Sequence, residues 1–407
     1  MTSDQPRRPW LPLSRNELGL VAAIAVVWLL AAVFDQQHSY VTNPKPAALM
    51  ILRQTTMLGI FALGAALVIV SGGIDLSCGS MIAFGGTTCA TLMLLMAPEE
   101  MRSRQGHLGL PVIGLAIAGT LVVGFLVGSI HAWLITMVGL PPFVATLATL
   151  VGLRSLGRAI IENVTKGVLG RQSTQIQIYD SDFLALSKVV WIRVALFLAL
   201  ALVVGVLLSR TVVGRHLYAL GGNEQAARLS GIRTDRLKWL AYAISAMLSS
   251  VAGIIYIAEQ SVADPQTLGR GYELNAIAAA VVGGCSLQGG VGTIQGTVLG
   301  CLFLRVVIDG IAKVIKSGAD VYEGLIVGIV VAVAVAFNQL RIGAGRQTRF
   351  FGGALGWVTV VNLGLMAGVL TALLGGAKAG GIATLAALAL LVLFKVFEGR
   401  RDAAAVE

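Results

Sequence analysis

The chain alternates between long apolar runs and short polar breaks, at the scale of membrane helices rather than of strands. A run of about 17–25 apolar residues is long enough to cross a bilayer as a helix. Such runs are read at Leu18–Phe34, Thr56–Ser71, Gly79–Met96, Leu110–Ile130, Phe143–Ile161, Val190–Leu208 and Leu237–Ala258. They continue at Thr293–Ile311, Tyr322–Phe337, Ala354–Leu374 and Ile382–Phe397. Between the seventh run and Thr293 lies Leu274–Gly284, which is too short to span unless it extends or dips. The pattern predicts about twelve apolar elements, ten before Asn338 and two after it.

Composition narrows the class. Apolar residues make up 56% of the 407-residue chain and charged residues 12%, against roughly 25% charged in an average soluble domain. Too little polar surface remains for a soluble globule of this size, and too much apolar residue for a disordered chain. The fold expected is all-α and integral to the membrane, a polytopic helix bundle. A net charge of +10 in a soluble chain would suggest nucleic acid; here it fits loops that face anionic lipid or a protein partner. Arg7, Arg8 and Arg15 precede the first run with no clear cleavage site after it, so that run is expected to stay as a helix. Lys and Arg divide almost evenly between the two sides. Their density does not: Arg210, Arg215, Arg228, Arg233, Arg236 and Lys238 crowd one loop, which is placed inside on that ground. Cys78, Cys89, Cys285 and Cys301 form no CxxC pair and read as small buried hydrophobes. The four histidines are scattered, so no metal site is expected. Glycine, at 50 residues, recurs at a spacing of four in Gly124 and Gly128, in Gly292, Gly296 and Gly300, in Gly324 and Gly328, and in Gly364 and Gly368. That spacing predicts small helix faces for close packing.

Three segments interrupt the apolar pattern. In GGIDLSCGS (residues 72–80) Asp75 is the lone acid between Asp35 and Glu99. A carboxylate at membrane depth is costly and points to function, yet Asp75 or Ser77 could equally cap the next helix. In GGNEQAARLSGI (221–232) Asn223 suits a helix N-cap, Glu224 the first turn and Gly231 the stop. Two turns are marginal alone, so this helix must dock on its own protein or on a partner. The third segment, ELNAIAAAVVGGCSLQGGVGTIQGTVLG (273–300), is glycine-rich but has no lysine, and Gly-Lys occurs nowhere in the chain. It therefore makes no GxxxxGK[ST] phosphate cradle. A broken intramembrane helix carrying Ser286 and Gln288 fits better.

These three motifs, in this order, closely resemble the permease subunits of bacterial ABC importers for monosaccharides, the ribose and xylose type best. The likeness covers roughly Leu18–Asn338. It implies a ten-helix permease core with two extra C-terminal helices, in the bacterial cytoplasmic membrane. The organisation expected is a cytoplasmic N-terminal segment (1–17), the core (18–338) with a cytoplasmic coupling loop (209–238) inside it, and an extension (339–407). The resemblance implies a homodimer, a cytosolic ATPase partner that binds the ATP, and a periplasmic or lipoprotein sugar-binding protein. No enzyme activity, cofactor, metal or nucleic acid is implied for the chain itself. Carried over by position, Asn223, Glu224, Ala226, Ala227, Arg228 and Gly231 form the ATPase-coupling interface. Candidates for the translocation pathway are Asp75, Ser77, Ser80, Ser286 and Gln288; candidates for docking the binding protein are Glu259, Asp264 and Glu273. The sequence departs from the family at Gln225, often Glu or Ala, at Cys78, usually Val, and in the extension. Related permeases for nucleosides, autoinducer furanoses or branched-chain amino acids are the nearer alternatives, and an ATPase-independent secondary transporter the more distant one.

Overall fold

The computed structural model describes residues 14–35, 38–103, 106–314, 324–325, 327–330, 332, 351 and 353–404. The chain divides into two compact units, Met1–Val335 and Ala336–Glu407. The expected element Tyr322–Phe337 falls largely outside the described residues, as do positions 1–13 of the N-terminal segment.

In the first unit the helices are α1 (Arg15–Phe34), α2 (Ser39–Thr42), α3 (Pro44–Val70), α4 (Cys78–Met96), α5 (Pro98–Arg102), α6 (Leu110–Thr136) and α7 (Pro142–Leu169). They continue with α8 (Ser181–Lys188), α9 (Val190–Arg210), α10 (Val212–Gly222), α11 (Glu224–Leu229), α12 (Thr234–Gln260), α13 (Tyr272–Val282) and α14 (Ile294–Val314). Strands are limited, among the described residues, to β1 (Ile176–Gln177) and β2 (Val262–Ala263), paired antiparallel with Ile176 opposite Ala263. Local chemistry sets the helix starts. Ser14 and Glu17 form a reciprocal capping box at α1. Prolines occupy the first turns of α3, α6 and α7, where a missing N–H costs nothing. Asp180 caps α8 by accepting from Phe183 N at 2.7 Å.

Ten helices among the described residues are long and apolar enough to cross a membrane, eight of them in the first unit. Burial sorts those eight. The apolar windows of α3, α4 and α12 are 89%, 83% and 72% buried, against 11% for α1. These three make the centre; α6, α7, α9 and α14 pack around it, and α1 packs on α14. Small residues allow the central helices to touch by backbone. A Cβ at Gly64 of α3 would sit 2.8 Å from Ser245 Cα of α12, and one at Gly85 of α4 2.8 Å from Ser250 Cα. On α6, Gly128 lies as close to Ala243. In lipid, where helices gain little from hydrophobic burial, such contact is what associates them.

The region between α12 and α14 settles how the short apolar run crosses. After α12 the chain forms β2 and then an irregular stretch, and only then α13. Gly283, at the end of α13, lies against Gly296 of α14, and Gly290 N–H donates to Val70 O at 2.9 Å. Val70 ends α3, at the opposite end of the bundle from β2. Residues 261–283 therefore cross the bundle as a half-extended, half-helical segment. Non-helical backbone at that depth must be enclosed by protein, and Ala263 and Leu268 are fully buried.

The predicted runs correspond to helices that are in several cases longer. α3 begins at Pro44 rather than Thr56, and α7 ends at Leu169 rather than Ile161. Of the Gly292, Gly296 and Gly300 series, Gly292 is corrected: α14 starts at Ile294, so only the latter two lie on its face. In the second unit, α15 (Gly353–Gly375) and α16 (Ala377–Ala404) are joined through Gly376 and form an antiparallel hairpin. Gly364 meets Leu388 and Gly368 meets Thr384, while Glu398 accepts from Phe351 N at 3.0 Å.

Candidate functional site

Each of the three interrupted segments contains a Gly-Gly pair, and the fold brings the three pairs together. Gly72-Gly73 closes α3, Gly221-Gly222 closes α10, and Gly289-Gly290 lies in the break between α13 and α14. A Cβ at Gly221 would overlap Val70 O and stand 2.5 Å from Gly290 N; a Cβ at Gly72 would lie 3.2 Å from Gly221 Cα. A Cβ at Gly289 would lie 2.8 Å from Gly72 Cα. Only residues without side chains can bring three backbones this close. Tyr218 of α10 adds a clasp, its hydroxyl donating to Gly292 O at 2.7 Å. Burial pushes that phenol up to about 12, with Cys285 adding to the effect. Beside the junction lies a cavity of about 320 Å³ whose lining includes Ser71, Asn223, Glu224, Lys238, Tyr242 and Gln288.

Behind the junction, Asp75 is 2% exposed and fully engaged. Its Oδ1 accepts from Ser77 N at 2.8 Å and Ser77 Oγ at 2.6 Å, and its Oδ2 accepts from Ser245 Oγ at 2.7 Å. Ser80 Oγ donates to Ser77 O at 2.8 Å, and Thr146 Oγ1 accepts from Leu76 N at 3.1 Å. His131 Nε2 lies 2.7 Å from Thr149 Oγ1. The arrangement holds the turn into α4 against α7 and α12. Of the five pathway candidates, Asp75, Ser77 and Ser80 come together as this buried network. Ser286 is buried in the other break, where its hydroxyl accepts from Gln288 N at 3.3 Å, and Gln288 is exposed on the cavity.

The expected loop over 209–238 is helical for most of its length. α11 starts as its sequence predicts: Asn223 Oδ1 accepts from Ala226 N at 2.9 Å. It ends in a Schellman turn, with Gly231 at φ +82°, Gly231 N–H donating to Arg228 O and Ile232 N–H to Ala227 O. Glu224 is held by Lys238 at 2.7 Å and Arg228 at 3.4 Å, and Arg228 also reaches Asp235 at 3.3 Å. Asn223, Ala226, Arg228 and Gly231 face outward; Ala227 does not, being buried at 5% as the anchor of α11 to its own chain. The sequence reading missed Leu229, which is 89% exposed at the end of α11. Its signal was a lone large apolar residue in an otherwise polar two-turn helix.

The three acids expected at the opposite end separate. Glu259 is paired with the fully buried Arg193 at 3.0 Å and with Arg53 at 3.6 Å. Asp264 caps a turn, accepting from Gln266 N at 2.9 Å. Glu273 departs from the docking expectation. The chain has already re-entered the bundle, so this residue opens α13 beside Gly79 of α4, and its Oε2 is buried with no hydrogen-bond partner among the described residues.

A family model described as the permease component of branched-chain amino acid transport systems matches residues 47–335. The chain is 33% identical over 337 residues to the ribose import permease protein of Escherichia coli K12, covering 82% of this chain and 96% of that protein. It is 33% identical over 323 residues to the ribose import permease of Haemophilus influenzae, covering 79% and 91%. It is 30% identical over 332 residues to the autoinducer 2 import system permease of Photorhabdus luminescens, covering 81% and 92%. No solved structure matches the chain.

Proposed function

We infer the function of this chain from its family, the permease components of the branched-chain amino acid transport systems, to which it belongs by the match over residues 47–335. It is a multi-pass permease subunit of an importer in the cytoplasmic membrane. We propose that the cargo is a monosaccharide of the ribose or xylose type, moved by alternating access. An ATPase partner binds and hydrolyses the ATP, a sugar-binding protein delivers the cargo, and two copies of this chain form the pathway; the chain needs no cofactor of its own. Residues 18–338 are the permease core, and 339–407 an accessory pair of helices. Among the described residues six spanning helices precede α11, so it lies on the same side as the N-terminus, the cytoplasm in this proposal.

The observation that carries the reading is the junction of the three glycine pairs. α11 follows α10 after the single residue Asn223, and the end of α10 touches both intramembrane breaks. Motion imposed on α11 by an ATPase thus reaches the breaks through one backbone contact. The outward face of α11, with Asn223, Ala226, Arg228, Leu229 and Gly231, is the proposed dock; Glu224 and Ala227 hold it in shape. Gln288 and the cavity beside it belong to the inner part of the pathway, and Asp75, Ser77 and Ser80 shape the break rather than touch cargo.

The test is reconstitution of the permease with its ATPase and binding protein in liposomes, followed by labelled ribose and xylose uptake. ATP-dependent uptake supports the proposal. Uptake driven by an ion gradient with no ATPase present would refute it. The likeness to autoinducer 2 permeases favours a furanose-like signal as the second reading, and competition between that class of compound and ribose for the binding protein separates the two.

A further inference from the structure

We propose that the groove between α10 and the opening turns of α12 is a binding site for the headgroup of an anionic phospholipid in the cytoplasmic leaflet. The side of the membrane rests on the functional reading above; the chemistry of the groove does not.

The groove has a volume of about 610 Å³. Val213, Leu237 and Leu240 give it an apolar floor, and Arg233 and Arg236 stand on its wall with His216. The four cations from α11 into the start of α12 divide into two sets. Arg228 and Lys238 are tied to Glu224 and Asp235. Arg233 and Arg236 are exposed and have no carboxylate partner among the described residues. Two uncommitted guanidinium groups over an apolar floor complement a phosphodiester joined to acyl chains, because guanidinium forks match phosphate oxygens in pairs.

Depth distinguishes lipid from a soluble partner. Trp239 and Leu240 lie five and six residues into α12, about 8–9 Å along its axis at 1.5 Å per residue, and α12 is already an apolar span there. A protein approaching from the water meets α11 first. Trp239 is fixed, its Nε1–H donating to Ser129 Oγ at 3.1 Å and its ring edge-to-face with Phe125 at 5.1 Å, and it is 38% exposed. Tryptophan in that half-wet setting marks the headgroup level of a bilayer, and cationic pockets at that level on the cytoplasmic side suit acidic headgroups.

The experiment uses the full chain in nanodiscs and reads Trp239 fluorescence as the difference between the wild-type protein and Trp239→Phe. Brominated phosphatidylglycerol, titrated into a phosphatidylcholine bilayer, is expected to quench this signal at a lower mole fraction than brominated phosphatidylcholine does. The preference should fall roughly fivefold for each of Arg233→Gln and Arg236→Gln, the size expected of one cation beside an anionic surface. Equal quenching by both lipids, or a preference that survives the double variant, overturns the proposal. Displacement of the brominated lipid by millimolar inorganic phosphate would assign the site to free phosphate and also overturn it. So would a double variant that loses ATPase binding but keeps its lipid preference. None of these readings requires transport, so their failure leaves the importer proposal standing.

Discussion

Replacing Gly221 by alanine tests the backbone junction directly, because its neighbour supplies a control one residue away. A methyl at Gly221 would overlap Val70 O and approach Gly290 N to 2.5 Å, in the space where Gly290 N–H donates to Val70 O at 2.9 Å. The two backbones must separate. Overpacking of this kind costs about 1–3 kcal/mol, and a buried donor or acceptor left unpaired costs about 1–3 kcal/mol more. Together these put a penalty of roughly 2–6 kcal/mol on one contact, which is large for a conformational step. A methyl at Gly222 meets nothing within 4 Å, and in a helix alanine is favoured over glycine by roughly 0.5–1 kcal/mol. In liposomes containing the complete importer, Gly221→Ala should lower ATP-driven uptake at least tenfold while the ATPase still binds. Gly222→Ala should transport as the parent does. Equal uptake by the two variants would refute the reasoning, whichever direction they share.

Three other substitutions probe the remaining parts. Leu229→Ala should weaken association with the ATPase about fivefold to tenfold, as removal of one exposed apolar anchor implies, with no loss of thermal stability; unchanged binding in a titration would take the end of α11 out of the interface. Glu259→Gln leaves Arg193 buried beside an uncharged partner and should cost about 3–5 kcal/mol, seen as a lower unfolding midpoint in detergent, while Glu259→Gln combined with Arg193→Met should regain most of it. Asp75→Asn should lower the unfolding midpoint and leave the KM for sugar uptake unchanged, since the carboxylate faces Ser77 and Ser245; a raised KM with an unaltered midpoint would place Asp75 on the cargo instead.

Much of the bundle is readable from apolar runs, because lipid demands an uninterrupted apolar stretch wherever a helix faces it. The runs fail where protein replaces lipid. α3 starts well before its predicted beginning at Thr56, since Lys45, Arg53 and Gln54 dilute the signal although Arg53 is matched by Glu259. α7 continues past Ile161 because Arg158 and Glu162 pair along its surface at 2.7 Å. The α11 cap and stop were legible because they are local chemistry. The meeting of residues 72, 221 and 289 was not, since each glycine pair is locally an ordinary helix end or turn and nothing in its neighbours encodes a contact with the other two. Glu273 was misplaced for a related reason: a crossing that is half extended shows only half of its length as an apolar helix.

The double cap and ion pairs of α11 bear on how fast, and not only how well, a partner is met. A six-residue helix in isolation is mostly unfolded, and a partner recognising it would have to wait for, or impose, its order. Here the chain loses that freedom when it folds, through Asn223, Gly231 and the Glu224–Lys238 pair. Association then meets a finished relief and spends none of its free energy on ordering it. Binding of that kind can be brief and repeated without being weak, as a cycle of grip and release at each turnover requires.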